Sequence, residues 1–128
     1  MQLRYTILYV QSVADTLDFY THAFGLPRKL LHESGDYGEL DTGTTTLSFS
    51  SFGLMQTLGK TPGQADPKQP VFELAFETDD VQAALQQALA AGATLAKDVE
   101  EMPWGQTIAY VTDPNGFLIE ICSPVAQG

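Results

Sequence analysis

Two tandem βαβββ modules, in an α+β fold, are what this sequence predicts, and three observations carry the prediction. The segment Ile7-Leu8-Tyr9-Val10, then Ser12-Val13, an amphipathic run and Gly25, returns as Leu74-Ala75-Phe76-Glu77, then Asp80-Val81, a second amphipathic run and Gly92. Each half also closes alike, Asp41-Thr42-Gly43 leading into Thr46-Leu47-Ser48-Phe49 and Asp113-Pro114-Asn115-Gly116 into Leu118-Ile119-Glu120-Ile121. Finally, 128 residues, 44% of them hydrophobic, make one domain's worth of core, so the repeats are half-domains that cannot each bury an apolar sheet face alone. The expected architecture is a single domain over 1–128, with modules 1–52 and 71–124 whose curved mixed sheets surround a shared cleft, helices on the outside.

The first strand is read over residues 4 to 10 from its alternation. Ser12 caps a helix carrying Val13, Leu17, Tyr20 and Phe24 on one stripe, and Gly25 ends it. Residues 28 to 33, 37 to 41 and 44 to 51 read as three strands joined by Ser34-Gly35-Asp36 and Thr42-Gly43, both turn-type segments. The stretch 53–70 holds Gly53, Gly59, Pro62, Gly63, Pro67 and Pro70 and is read as a linker or flap without structure of its own. The second half follows with a strand at 71 to 77, Asp79-Asp80 as cap, and a helix with Val81, Ala84, Leu85, Ala88 and Leu89 inward. After the Gly92 stop, strands are expected near 94 to 99, 106 to 112 and 117 to 122.

Strand alternation sorts the faces. Thr6, Leu8 and Val10 fall under the first helix, leaving Tyr5, Ile7 and Tyr9 for the cleft, and Phe72, Leu74 and Phe76 fall under the second, leaving Glu73, Ala75 and Glu77. On the closing strands the cleft side receives Thr44, Thr46, Ser48 and Ser50 in one half and Leu118, Glu120 and Cys122 in the other. The repeat pairs Tyr5 with Glu73 and Ser48 with Glu120.

Charge narrows the partners. Lys and Arg total 6 against 16 Asp and Glu, a net charge of −10 that repels nucleic acid and anionic membrane surfaces. No charged-then-apolar leader opens the chain and no apolar run approaches the roughly 20 residues of a membrane span, so a cytoplasmic protein without membrane contact is expected. Cys122 is the sole cysteine and reads as a small hydrophobe at a strand end.

The doubled unit, together with Phe19-Tyr20, Phe24-Gly25-Leu26, Pro103-Trp104-Gly105-Gln106 and the run from Asp113 to Ile121, resembles the vicinal oxygen chelate superfamily, the group of glyoxalase I, bleomycin-resistance proteins and extradiol dioxygenases. For metal-dependent members the resemblance implies a divalent ion held by His, Glu, His and Glu at four cleft positions, which match Tyr5, Ser48, Glu73 and Glu120 here. Only Glu120 matches in kind. His22 falls on the outer side of its helix, and His32, on the second strand, reads as a surface or core-edge histidine.

The function expected from these residues is metal-free binding of a small organic ligand, cationic or neutral, without a cofactor, similar to the bleomycin-resistance branch. Tyr5, Tyr9, Ser48, Glu73, Trp104, Tyr110 and Glu120 are the expected ligand-binding residues. Tyr37 and Phe52 are further aromatic candidates, whereas Phe24, Phe49, Phe72 and Phe76 read as core. If Glu73 and Glu120 converge, one holds its proton to higher pH and the pair can serve as acid and base, the catalytic reading; hydrogen bonding in place of a lost metal is the plainer one. The alternative function is a metal-dependent lyase, isomerase or dioxygenase with Glu73 and Glu120 on Mn or Mg. A homodimer is expected from the resemblance and from open sheet edges that need cover.

Overall fold

The protein, as a computed structural model, is described over residues 1–125; the end of the expected 1–128 domain lies outside the described residues. The chain forms two compact units, Met1–Gln64 and Ala65–Gly128. The first runs β1 (Tyr5–Val10), α1 (Val13–Phe24), β2 (Arg28–Leu31), β3 (Tyr37–Leu40), β4 (Thr46–Ser51) and α2 (Phe52–Thr57). The second runs β5 (Glu73–Glu77), α3 (Val81–Ala90), β6 (Thr94–Glu101), β7 (Thr107–Thr112) and β8 (Leu118–Cys122). Each builds one four-stranded mixed sheet, ordered β1-β4-β3-β2 and β5-β8-β7-β6. In both, the first and last strands pair parallel and the other pairs run antiparallel. These are the two βαβββ modules.

Local chemistry starts and stops the helices where the residues require. Ser12 has extended backbone and its hydroxyl accepts from the Asp15 amide at 3.3 Å, while the Asp80 carboxylate accepts from the Ala83 amide at 3.0 Å. Val13, Leu17 and Tyr20 are buried by α1 against β2, β3 and β4, and the Tyr20 ring lies 5.1 Å from that of Phe49. Gly38 makes this approach possible: a Cβ there would stand 2.6 Å from Leu17 Cδ1 and 2.9 Å from Val13 Cγ1. In the second unit Val81, Leu85 and Ala88 cover buried Ile119, Ile121 and Val111 in the same manner.

Four expectations need correction. Helix α2, Phe52–Thr57, takes the last residue of the first module and the start of the supposed 53–70 linker, because the Ser51 hydroxyl accepts from the Leu54 amide at 3.1 Å and Met55 is buried. Phe72 is not core: it precedes β5, is 46% exposed and meets Phe117 edge-on, ring centres 6.0 Å apart. Thr44 sits in the turn before β4, which begins two residues later than expected. Ser48 and Ser50, assigned by alternation to an open face, are buried. Alternation identifies the face of a strand but not what lies on top of it.

Candidate functional site

Register brings three of the expected residues together in the second unit. Tyr110 on β7 stands directly opposite Glu120 on β8, which pairs on its other side with Ala75 of β5. Glu73 is two residues from Ala75 on the same strand, hence on the same face, within diagonal reach of long side chains. Tyr110, Glu73 and Glu120 stand close enough for each carboxylate to act on the phenol and for Glu73 to act on Glu120. Two carboxylates can share a hydrogen bond only when one of them is protonated. Burial raises the Glu120 pKa, and the hydrogen bond and charge of Glu73 raise it further, against the Tyr110 donor, which lowers it. Glu120 therefore keeps its proton to higher pH than a solvated glutamate.

The phenol responds in turn. Burial first, then the charges of Glu120 and Glu73 and the hydrogen bonds to them, push Tyr110 from 10.0 up to about 12. A folded-state pKa above the unfolded one contributes stability that is complete below pH 10 and is lost as pH rises through about 12. Tyr110→Phe should remove both the late phenolate signal in an alkaline absorbance titration and that share of the alkaline loss of stability. An unchanged titration in the variant would show that Tyr110 is not the late phenol.

The first unit carries the same groups in exchanged places. Glu39 on β3 stands opposite Ser48 on β4, as Tyr110 stands opposite Glu120, so Glu39 is the repeat mate of Tyr110 while Tyr5 is the mate of Glu73. The Tyr37 hydroxyl donates to Glu39 Oε2 at 2.7 Å, and Lys29 Nζ lies at 3.9 Å from the same carboxylate, whose side chain is only 13% exposed. The buried Ser48 hydroxyl donates to the Thr6 carbonyl at 3.5 Å; burial raises the Tyr37 pKa and Glu39 adds to the rise, against Ser48, which lowers it. Glu39 and its contact with Tyr37 escaped the sequence reading. The sequence offset of 72 between Ser48 and Glu120 carries Tyr110 to Gly38, one residue short of Glu39, so only the strand register pairs the two.

The remaining expected residues lie elsewhere in their units. Tyr5 is exposed at the start of β1. Tyr9, at the far end of that strand, is occupied by Lys60, whose Nζ donates to the phenol oxygen at 3.0 Å and lies 5.3 Å from the ring centre. Trp104 belongs to the turn between β6 and β7 and is 57% exposed, its indole N–H donating to Gln106 Oε1 at 2.8 Å. Gln106 in turn donates to the Ser123 carbonyl at 3.0 Å, which ties the turn to the end of β8. Tyr110 is three residues into β7, roughly 10 Å along the strand from its Thr107 end, so Trp104 flanks the Glu73–Glu120 pair without touching it. Cys122 is buried, and burial followed by the charges of Glu120 and Glu77 raises its thiol pKa, which keeps it protonated and unreactive. His22 rides on α1 with Nδ1 at 2.7 Å from the Asp18 carbonyl, and His32 turns to Ser34 in the exposed β2–β3 hairpin.

The donor chemistry at Tyr5, Ser48, Glu73 and Glu120 is a phenol, a buried hydroxyl and two carboxylates on one sheet face. Among the described residues no three His, Cys, Asp or Glu side chains gather into a metal-holding group. Such a set does not fit a centre anchored by imidazole. No helix among the described residues is long and apolar enough to cross a membrane.

Residues 3–126 match the family described as Glyoxalase-like domain. Over 128 aligned residues the chain is 32% identical to the lactoylglutathione lyase of Neisseria meningitidis serogroup A, covering 94% of this chain and 88% of that protein. A crystal structure of a glyoxalase/bleomycin resistance protein/dioxygenase family enzyme from Burkholderia phytofirmans PsJN superposes with a TM-score of 0.78 at 27% identity, covering 96% of this chain and 98% of the other. A glyoxalase-related enzyme from Fulvimarina pelagi, at 19% identity and a TM-score of 0.82 over 96% of this chain and 88% of its own, shares the fold.

Proposed function

Since the chain belongs to the glyoxalase-like family of the vicinal oxygen chelate superfamily, we propose that it is a metal-free small-molecule binding protein of that superfamily, similar to the bleomycin-resistance branch. The observation that carries this reading is the Tyr110–Glu73–Glu120 group, two carboxylates and a phenol on one face of the second sheet, with no imidazole at the positions matched to metal ligands. A shared proton between carboxylates is a receptor for N–H donors. A protonated amine can take the place of the proton and find an acceptor on either side, so an organic cation or a neutral amine is the fitting ligand. The excess of acidic residues, 16 against 6 basic, attracts the same class and disfavours nucleic acid. Tyr5, Tyr9, Ser48 and Trp104 complete the ligand-binding set, and Glu73 and Glu120 are the acid–base residues if a reaction is catalysed.

A second reading rests on the 32% identity to a lactoylglutathione lyase: a lyase, isomerase or dioxygenase with an altered ligand set, in which Glu73 and Glu120 hold Mn or Mg. One experiment separates the two. Protein purified without chelator is analysed for metals and titrated calorimetrically with benzylammonium and with manganese. Saturable benzylammonium binding without stoichiometric Zn, Ni, Fe or Mn supports the binding protein. Stoichiometric metal that is lost on Glu120→Gln overturns it. The protein is further read as a cytoplasmic homodimer, β1 and β5 each being an edge strand of its own sheet; sedimentation showing only a 13.9 kDa species at micromolar concentration would refute the dimer.

A further inference from the structure

Lys60 is held in place twice over. Its backbone closes α2: the Gly59 amide donates to the Gln56 carbonyl and the Lys60 amide to the Met55 carbonyl, both at 3.0 Å, with Gly59 at φ +86°. That is the left-handed glycine termination of a helix, which fixes the residue after the glycine relative to the helix. The side chain then runs to β1, where Nζ donates to Tyr9 Oη at 3.0 Å, lies 3.6 Å from Met55 Sδ and sits 5.3 Å from the Tyr9 ring centre.

What this arrangement leaves over is donors. An ammonium carries three N–H groups, of which one goes to the phenol and one to a weakly accepting thioether. Tyr9 accepts from Lys60, so its own O–H points elsewhere, and it meets no acceptor among the described residues. Acids outnumber bases 16 to 6, yet Lys60 has no carboxylate partner within ion-pair distance among the described residues, while Arg28, Lys29 and Lys97 each have one. A desolvating aromatic face, a fixed cation and an adjacent free hydroxyl are what an oxyanion needs.

We propose that Lys60 and Tyr9 form a carboxylate-recognition site at the C-terminal end of β1, one oxygen of the ligand carboxylate taking an Nζ–H of Lys60 and the other the Tyr9 O–H. The proposal rests on the reading of the protein as a small-molecule binder and adds to its ligand a carboxylate group, a class that net charge alone disfavours. Lys60 in this role is a specificity-determining residue.

The test uses phenylacetate and its neutral analogue phenylacetamide, titrated into the whole protein while amide and tyrosine-ring resonances are followed by NMR. Phenylacetate should shift Lys60 and Tyr9 resonances saturably, and phenylacetamide should not. Lys60→Met keeps the stem over the ring and should weaken phenylacetate binding at least tenfold, with the dispersed spectrum confirming the fold; Tyr9→Phe should weaken it several-fold. Lys60→Met should leave benzylammonium binding in place. Equal responses to acid and amide, an unchanged phenylacetate affinity in Lys60→Met, or no phenylacetate response in a protein that binds benzylammonium overturns this site alone. Silence toward both probes overturns the small-molecule reading with it.

Discussion

Glu120→Gln should weaken the binding of benzylammonium roughly 10- to 100-fold, and should do so without unfolding the protein. A charge-assisted hydrogen bond contributes about 1.5–3 kcal/mol, and each 1.4 kcal/mol is about a factor of ten in affinity. Glutamine preserves the shape of the side chain and can donate to Glu73, while the proton that a ligand amine would replace is gone. The pH dependence of stability gives an independent check. Burial and Glu73 raise the folded-state pKa of Glu120, so the stability this group contributes is complete below the unfolded carboxyl value near 4.5 and is lost as pH rises through the raised one. Glu120→Gln should flatten that decline and leave the variant at least as stable as the parent at neutral pH. Calorimetric titration and denaturant unfolding across pH measure both effects. Unchanged benzylammonium affinity, or a steeper fall of stability with rising pH in the variant, would show that the pair is not the cation receptor.

The sequence was legible where period and repeat both spoke. Glu73 and Glu120 are legible because strand alternation places both on the cleft side and the chain states its module twice, whereas Tyr110 reads only as an aromatic candidate until register sets it opposite Glu120. Alternation does not show cover, so Ser48 reads as an open hydroxyl although it is buried and donates to the Thr6 carbonyl. Glu39 was passed over because its repeat mate is a tyrosine: the two modules keep a phenol and a carboxylate but exchange their strands, and a comparison by residue type alone sees no match. Lys60 was hidden for a different reason. Glycines and prolines in 53–70 suggested an unstructured linker, yet Gly59 is the stop signal of α2 and presents the lysine to Tyr9. In a short helix most of the stability comes from tertiary burial, here of Met55, and burial is invisible in a composition.

Gly116→Ala should be among the most damaging single substitutions of the second unit, because two independent penalties meet at one residue. Asp113 shapes the turn: its buried carboxylate accepts from the Asn115 and Phe117 amides, each at 2.9 Å, and its carbonyl accepts from the Gly116 amide at 3.0 Å. The turn leaves Gly116 at φ +94°, which costs an L-residue about 1–2 kcal/mol. A Cβ there would also stand 2.7 Å from the Ala65 carbonyl oxygen and 3.3 Å from Pro67 Cδ, atoms that no side-chain rotation can move aside. Overpacking of that kind costs about 1–3 kcal/mol more, for a total of about 2–5 kcal/mol. Gly43, the counterpart in the first unit, has φ +88° and nothing within 4 Å of a Cβ, so Gly43→Ala measures the backbone strain by itself. Urea unfolding of the two variants should therefore separate them by about the steric contribution, with Gly116→Ala the less stable and the dependence on denaturant unchanged. Equal losses in the two variants would mean that the 65–67 segment moves away from the turn without cost, and that the close approach of Ala65 to Gly116 does not contribute to holding the second unit together.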